Sequence, residues 1–469
     1  MIRVLYRIGL LNPFNLWQII RAIKKNGFNL MAFLIHYEDQ GNKNCLTANG
    51  TKYSYAFIRQ MANNFSAKLI NTNGPIYIAL PNSKEIIISL VAASTSGRKT
   101  IFLDPSLNDN RLKEILKSKD VGVLICEKGR ELNYELLHIE ITDQITESPI
   151  SKQRMGDITV LSSGTTGKPK ENTRSTSLKN YTAVLKVLIN EIKLHEYKGA
   201  FIATPIFHGF GLAATITALA LGKSIKIESK FKPERIKNEE NEAEVLIAVP
   251  SMLEKLRKMD SQVFKAFKVV LTGGDRLLPS TEKELVAIEG LMIYNLYGTS
   301  ETGFCLIASK EDLIRYPGTN GQPIKGIQFK LNESNELMIK NRYSFKEKST
   351  NWVNTKDVFL KNEKGFLFYK GRNDDRIVSG GENIFLSDLK DRISLMMPKL
   401  TFELFPIRDD IYGKKIGLVF TNMELSIEEI QKTINAELLS FERPRVYVKR
   451  EVIPRNALGK INYKELTNA

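Results

Sequence analysis

Cysteine, histidine and long apolar runs are all scarce in this 469-residue chain. Its three cysteines, Cys45, Cys126 and Cys305, are widely spaced and odd in number. That argues against a disulfide framework or a zinc site and for a reducing, cytoplasmic setting. The four histidines, His36, His138, His195 and His208, are too few and too scattered for a polyhistidine metal centre. The most apolar run near the start, Ile8 to Ile20, is broken by Asn12, Pro13, Asn15 and Gln18. It is too short to span a bilayer, and no small-residue cleavage site follows it. Internal repeats, low-complexity tracts and RNA- or DNA-binding motifs are absent, so nucleic acid is not an expected partner.

Charge is abundant. The net charge is +16, from 68 basic and 52 acidic residues. The lysines are spread along the chain, and three readings stay open: a nucleotide substrate, a membrane surface, or a general bias of composition. The N-terminus combines Leu16, Trp17, Ile19 and Ile20 with Arg21, Lys24 and Lys25 at helix-like spacing. Such a helix either lies on a membrane surface, as a peripheral contact, or packs on the main domain.

A chain of this length exceeds one ordinary core, and an apolar fraction of 42% suits a globular protein of two to three domains. Short apolar runs alternate with helix-patterned segments. Strands are expected at Ile76–Leu80, Thr100–Leu103, Gly122–Cys126, Asp157–Leu161, Ala200–Thr204, Val245–Val249 and Val269–Leu271. Helices are expected at Ser83–Ser96 and Arg111–Lys119. This α/β rhythm persists to about Leu306. Shorter strands and turns follow from Gly321 to Tyr369, then a small α+β unit from Gly371.

The chemistry concentrates in one loop, Ser162-Ser163-Gly164-Thr165-Thr166-Gly167-Lys168-Pro169-Lys170. Glycines let successive N–H groups turn inward as an anion nest, hydroxyls add donors, and lysines add charge. That is the makeup of a polyphosphate cradle. It is not the common phosphate loop, which needs four residues between its glycines and a hydroxyl after its lysine. Here only Thr165 and Thr166 separate Gly164 from Gly167, and Pro169 follows Lys168. A P-loop kinase or GTPase is therefore disfavoured.

Further segments stand in order behind it. Thr272-Gly273-Gly274 is a tight turn after a strand. Asn295-Leu296-Tyr297-Gly298-Thr299-Ser300-Glu301-Thr302-Gly303 joins an aromatic, hydroxyls and one carboxylate. Asp357 follows Trp352 and Thr355. Gly371-Arg372-Asn373-Asp374-Asp375 leads to Ser379-Gly380-Gly381-Glu382-Asn383, and Pro454 to Lys460 closes the series. In this order and spacing the segments resemble the adenylate-forming superfamily of acyl-CoA synthetases, luciferases and peptide-synthetase adenylation domains. The resemblance runs from about Leu46 to Leu466.

The resemblance implies an α/β (α+β) fold. A large N-terminal domain of layered sheets and helices with a distorted β-barrel, residues 37–373, would follow a leader, residues 1–36. A small mobile C-terminal α+β domain, residues 374–469, would complete it. It also implies two half-reactions. A carboxylate attacks the α-phosphate of ATP, and a thiol then takes the acyl group. The loop Ser162, Ser163, Gly164, Thr165, Thr166, Gly167, Lys168 and Lys170 would hold the β- and γ-phosphates. Tyr297 would stack on adenine beside Gly273 and Gly274, Thr299 would contact the α-phosphate, and Glu301 would bind Mg²⁺. Asp357 would accept from ribose hydroxyls with Arg372 as its partner. Lys460 would stabilise charge at the bridging oxygen. Asp374 matches the hinge, Gly381 would lie beside the pantetheine of CoA, and His208 would gate the carboxylate pocket.

Departures from the family pattern are Lys356 in place of a frequent glycine, Asn335 in a Gly-Glu-Leu turn, Leu386 for proline, Asp388 for Glu, and Glu171-Asn172 after Lys170. None removes a catalytic group, and together they suggest a divergent member. The leading expectation is a ligase joining a fatty or other apolar small-molecule carboxylic acid to CoA. The alternatives are an aryl-acid CoA ligase or a ligase loading the phosphopantetheine of an acidic acyl carrier protein. More remote is a nucleotide- or acyl-binding protein without turnover.

Overall fold

The structure, a computed structural model, describes residues 21–38, 43–117, 122–130, 136–137, 153–162, 170–177, 179–236, 242–344, 351–373, 376–379, 382–398, 400–409, 413–421 and 425–453. Four sheets organise them. The first has six strands in the order Leu136–Leu137, Val123–Cys126, Ile76–Ala79, Thr100–Phe102, Ile158–Ser162 and Lys170–Arg174. All neighbours are parallel except the last pair, an antiparallel hairpin. The second has nine strands, with a parallel centre running through Met292–Thr299, Val269–Gly273, Val245–Ile247, Gly199–Ile202, Ser224–Ile227 and Asn44–Ala48. Antiparallel strands close both of its edges.

Parallel strands need cover on both faces, which is why they read as unbroken apolar runs. Ile76 and Ile78 of the first sheet share one core with Ile225, Ile247 and Leu271 of the second. The helix Lys84–Ser94 belongs to that core. Its Ile86, Ile87, Ile88 and Val91 are all fully buried, as expected of a helix apolar all round. Leu112 and Leu116 of the helix Asp109–Lys117 cover the other face of the first sheet. Leu253, Leu256 and Leu285, from the helices Pro250–Asp260 and Pro279–Ala287, cover the other face of the second.

The expected leader divides. Residues 1–20 lie outside the described residues. The helix Leu30–Glu38 buries Leu30, Met31 and Leu34 in the main core. Among the described residues, no helix is long and apolar enough to cross a membrane.

The third sheet is antiparallel: Gln328–Leu331, Glu336–Lys340, Val353–Lys361 and Leu367–Arg372. It packs on the edge of the second sheet through Cys305, Leu306, Leu337, Ile339 and Phe359. A fourth sheet, built on Arg376–Ser379, Glu382–Phe385, Phe402–Asp409, Gly413–Phe420 and Val446–Lys449, carries the helices Leu386–Met396 and Ile427–Glu437 around its own core. Arg276 joins this unit to the large one, with Nε 2.7 Å from Asp391 and Nη2 3.4 Å from Asp388.

Candidate active site

The strands Val269–Gly273 and Met292–Thr299 are parallel neighbours, and both end at the same edge of the second sheet. In open α/β sheets the carboxyl ends of strands are where ligands bind. Gly273 pairs with Leu296, and a Cβ on Gly273 would lie 2.3 Å from the Leu296 carbonyl oxygen. Only glycine allows that approach. Gly274 follows with φ +88°, a conformation that side chains disfavour.

Tyr297 sits beside this turn with its ring edge-on to Phe359, centroids 4.9 Å apart. Its hydroxyl donates to Asp357 Oδ2 at 2.6 Å. Burial, and after it the Asp357 charge, push the phenol well above its ordinary pKa, so it remains a donor. Asp357 pairs across the third sheet with Arg372, whose Nε stands 3.7 Å from Oδ1. A phenol and a guanidinium thus hold one carboxylate from two sides. Two of the departures from the family pattern sit next to these elements. Lys356, just before Asp357, has φ +61°, and Asn335 has φ +57°. Both occupy the left-handed region where glycine is the easy choice.

Thr299 and Thr302 close a tight turn on each other. The Thr299 amide donates to Thr302 Oγ1 at 3.2 Å, and the Thr302 amide returns to Thr299 Oγ1 at 3.2 Å. Asn341 Nδ2 donates to the Thr302 carbonyl at 3.0 Å. Glu301, half-buried within this turn, makes no hydrogen bond or ion pair among the described residues. A carboxylate so placed suits a hard cation bound to phosphate, which needs only one or two carboxylates.

The hairpin of Ile158–Ser162 and Lys170–Arg174, which bears the expected phosphate loop, touches this turn through Arg174. Ser162 pairs with Lys170 along the backbone, so the loop between them is held at its base. Ser163, Gly164, Thr165, Thr166, Gly167 and Lys168 lie outside the described residues, as do Asp374, Gly381 and Lys460. His208 caps the helix Gly209–Ala220 and rests against Phe207, ring centroids 4.5 Å apart. A Cβ on the next residue, Gly209, would lie 3.9 Å from Val160 of the strand Ile158–Ser162. The surrounding protein lowers the His208 pKa by desolvation, against an opposing pull from Asp104, which favours neutral imidazole at neutral pH.

The geometry therefore brings Gly273, Gly274, Tyr297, Thr299, Glu301, Asp357 and Arg372 to one end of the second sheet. It also supplies residues that motif reading passes over. Arg174, at the end of the hairpin's second strand, donates to the Ser300 carbonyl at 2.6 Å, and Asn341 holds Thr302. The signal for Arg174 was a charge closing the strand Lys170–Arg174, but its acceptor lies 126 residues away.

An AMP-binding enzyme model matches residues 35–341. The 2-succinylbenzoate–CoA ligase of Enterococcus faecalis is 24% identical over 417 residues, covering 81% of this chain and 85% of that protein. The ligase of the same name from Oceanobacillus iheyensis is 25% identical over 451 residues, covering 88% and 93%. In fold, the chain is similar to o-succinylbenzoate CoA synthetase (MenE) of Bacillus subtilis in complex with the acyl-adenylate intermediate OSB-AMP. The TM-score is 0.81 at 21% identity, covering 93% of this chain and 98% of that one. The structure of the same synthetase with ATP and magnesium ion gives a TM-score of 0.78 at 20% identity, covering 92% and 98%. With its motifs in order and more than half its length matched, the chain belongs to the AMP-binding enzyme family, within the adenylate-forming superfamily.

Proposed function

We propose that this protein is an AMP-forming acid–CoA ligase whose acid is aromatic, of the 2-succinylbenzoate kind. The observation that carries the adenylation chemistry is the Tyr297–Asp357–Arg372 chain set beside the Thr299–Glu301 turn. The choice of acid rests on relatives named as 2-succinylbenzoate–CoA ligases. They favour the aryl-acid alternative over the fatty acid expected first.

ATP, Mg²⁺ and CoA are the partners of the reaction. A substrate carboxylate is already ionised at neutral pH, so no protein base is needed to prepare it. Its oxygen bonds to the α-phosphorus while the bond to the bridging oxygen breaks and pyrophosphate leaves. The CoA thiolate then bonds to the acyl carbon, and AMP leaves with the electron pair. Asp357, oriented by Tyr297 and Arg372, accepts from the ribose hydroxyls. Tyr297 and the Gly273-Gly274 turn flank the adenine. Thr299 contacts the α-phosphate, and Glu301 holds Mg²⁺, which supplies charge stabilisation at the phosphates when bound. Residues Ser162 to Lys170 cradle the β- and γ-phosphates. Lys460 stabilises the charge that develops at the bridging oxygen. His208, neutral at the head of its helix, flanks the acid. Gly381 lines the pantetheine path after rotation at Asp374.

The test is a panel of acids with ATP, Mg²⁺ and CoA, the products identified by mass spectrometry. The panel holds 2-succinylbenzoate, benzoate, medium- and long-chain fatty acids, and a carrier protein in place of CoA. The aryl reading requires a CoA thioester of an aromatic acid at the highest kcat/KM. A fatty acyl-CoA product, or transfer only to the carrier protein, overturns it.

A further inference from the structure

Arg174 is the point at which three separate segments of the large domain meet. It ends the second strand of the phosphate hairpin, Lys170–Arg174. Its Nη2 donates to the Ser300 carbonyl at 2.6 Å and lies 3.5 Å from the Thr299 carbonyl. Its Nη1 donates to the Tyr343 carbonyl at 2.7 Å. Ser300 and Thr299 are the residues just before Glu301. Tyr343 is buried, and the segment Asn341 to Ser344 holds the other side of the same turn. From that segment Asn341 Nδ2 donates to the Thr302 carbonyl at 3.0 Å, and the Tyr343 hydroxyl donates to the Phe304 carbonyl at 2.7 Å. Gly303 takes φ +71°, and a Cβ there would lie 2.5 Å from Arg174 Nη1. The turn is thus shaped around the guanidinium.

The chemistry of this contact is specific. A planar guanidinium presents donors in a fixed fork, so one side chain can fix two carbonyl-bearing segments at a set angle. Hydrogen bonds from an ionised donor are roughly twice as strong as neutral ones. The fork spans from the phosphate hairpin to the turn that carries Thr299 and Glu301. Those two elements come from different sheets, and Arg174 hydrogen-bonds from the hairpin strand to this turn.

We propose that Arg174 is a positioning residue for adenylation, fixing the Thr299–Glu301 turn against the phosphate hairpin so that one Mg²⁺–ATP meets both. The proposal rests on the adenylation reading of the same site. Adenylation depends on placing charge and metal rather than on a protein nucleophile, and a misplacement of about 1 Å can cost about 100-fold in rate.

Three variants test it: Arg174→Leu, Arg174→Lys and Arg174→Ala, the last with and without added guanidinium. Mg²⁺–ATP affinity is measured by titration calorimetry, and melting curves establish folding. Acid-dependent pyrophosphate release is compared with thiol transfer from pre-made acyl-adenylate. Arg174→Leu is expected to weaken Mg²⁺–ATP binding and slow adenylation by about 10- to 100-fold, with thiol transfer nearly unchanged. Arg174→Lys, a point charge that cannot fork, is expected to fall between Leu and wild type. Guanidinium is expected to restore part of the Arg174→Ala loss. Folded variants with wild-type Mg²⁺–ATP affinity overturn the proposal. So does an equal loss of both half-reactions that guanidinium does not repair. A wild type that binds Mg²⁺–ATP but activates no acid overturns the adenylation reading instead, and the binding comparison still decides Arg174.

Discussion

In the proposed role, accepting from ribose hydroxyls, a carboxylate has to be aimed, and the neighbours of Asp357 hold it from two sides. The Tyr297 phenol donates from one side and the Arg372 guanidinium faces the other oxygen. Glu301 presents the opposite case, a carboxylate without an ion-pair partner among the described residues, which fits its proposed role as metal ligand. Glu301→Gln keeps the shape and removes the charge. Its Mg²⁺ half-saturation in the pyrophosphate assay is expected to rise about 10-fold or more, with an unchanged melting curve. Superimposable Mg²⁺ titrations would remove Glu301 from the metal site. Lys356 poses a question of backbone rather than charge. A side chain in the left-handed region costs about 1–2 kcal/mol, partly offset because glycine also frees the unfolded chain by about 0.4–1 kcal/mol. Lys356→Gly is therefore expected to stabilise the protein by about 0.5–1 kcal/mol in denaturant unfolding while leaving ATP binding intact. A destabilised variant would mean that the lysine side chain itself holds the Asp357 strand in place.

At the scale of elements, one helix carries a buried acid with a pH signature. Glu282, in the helix Pro279–Ala287, accepts from the Gly318 amide at 2.8 Å, and its other oxygen is buried with no hydrogen-bond partner among the described residues. Burial raises its pKa to about 7, against smaller lowering effects from the Gly318 hydrogen bond and Arg276. The folded state therefore holds a proton that the unfolded chain releases near its ordinary value. Stability is highest below about pH 4.5 as far as this group is concerned and falls as pH rises to about 7. Glu282→Gln is expected to remove that slope and to gain on the order of 3 kcal/mol relative to wild type above pH 7. Parallel pH–stability curves for the two proteins would contradict this.

The strands were legible in the sequence because buried parallel strands must be continuously apolar. Ile76–Ala79, Val123–Cys126 and Val245–Ile247 fall inside the runs that predicted them. The roles expected of Tyr297, Thr299 and Glu301 came from the order and spacing of several motifs together, since the turn alone could have been merely structural. The hold of Arg174 on that turn was not legible, because a hydrogen bond across 126 residues leaves no local pattern. Nor were the left-handed backbones at Lys356 and Asn335, since neither residue is glycine.

At the scale of the whole molecule, the small unit meets the large one next to the Gly273-Gly274 turn. Arg276 follows Gly273-Gly274-Asp275 and reaches Asp388 and Asp391, and Lys370 stands 3.5 Å from Asp388. Polar contacts of this kind are compatible with the proposed rotation between the two half-reactions. Asp374, the proposed hinge, lies immediately after Asn373. Asp374→Pro fixes one backbone angle there and is expected to spare adenylation while thiol transfer falls. Equal loss of both in single-turnover assays would place the hinge elsewhere. The central claim, that this chain activates an acid by forming its adenylate, is tested most directly by isotope exchange between pyrophosphate and ATP without CoA. The account predicts exchange that requires both Mg²⁺ and an aromatic acid and that is lost in Lys460→Ala. Absence of exchange with every acid, from a protein that binds Mg²⁺–ATP, would contradict it.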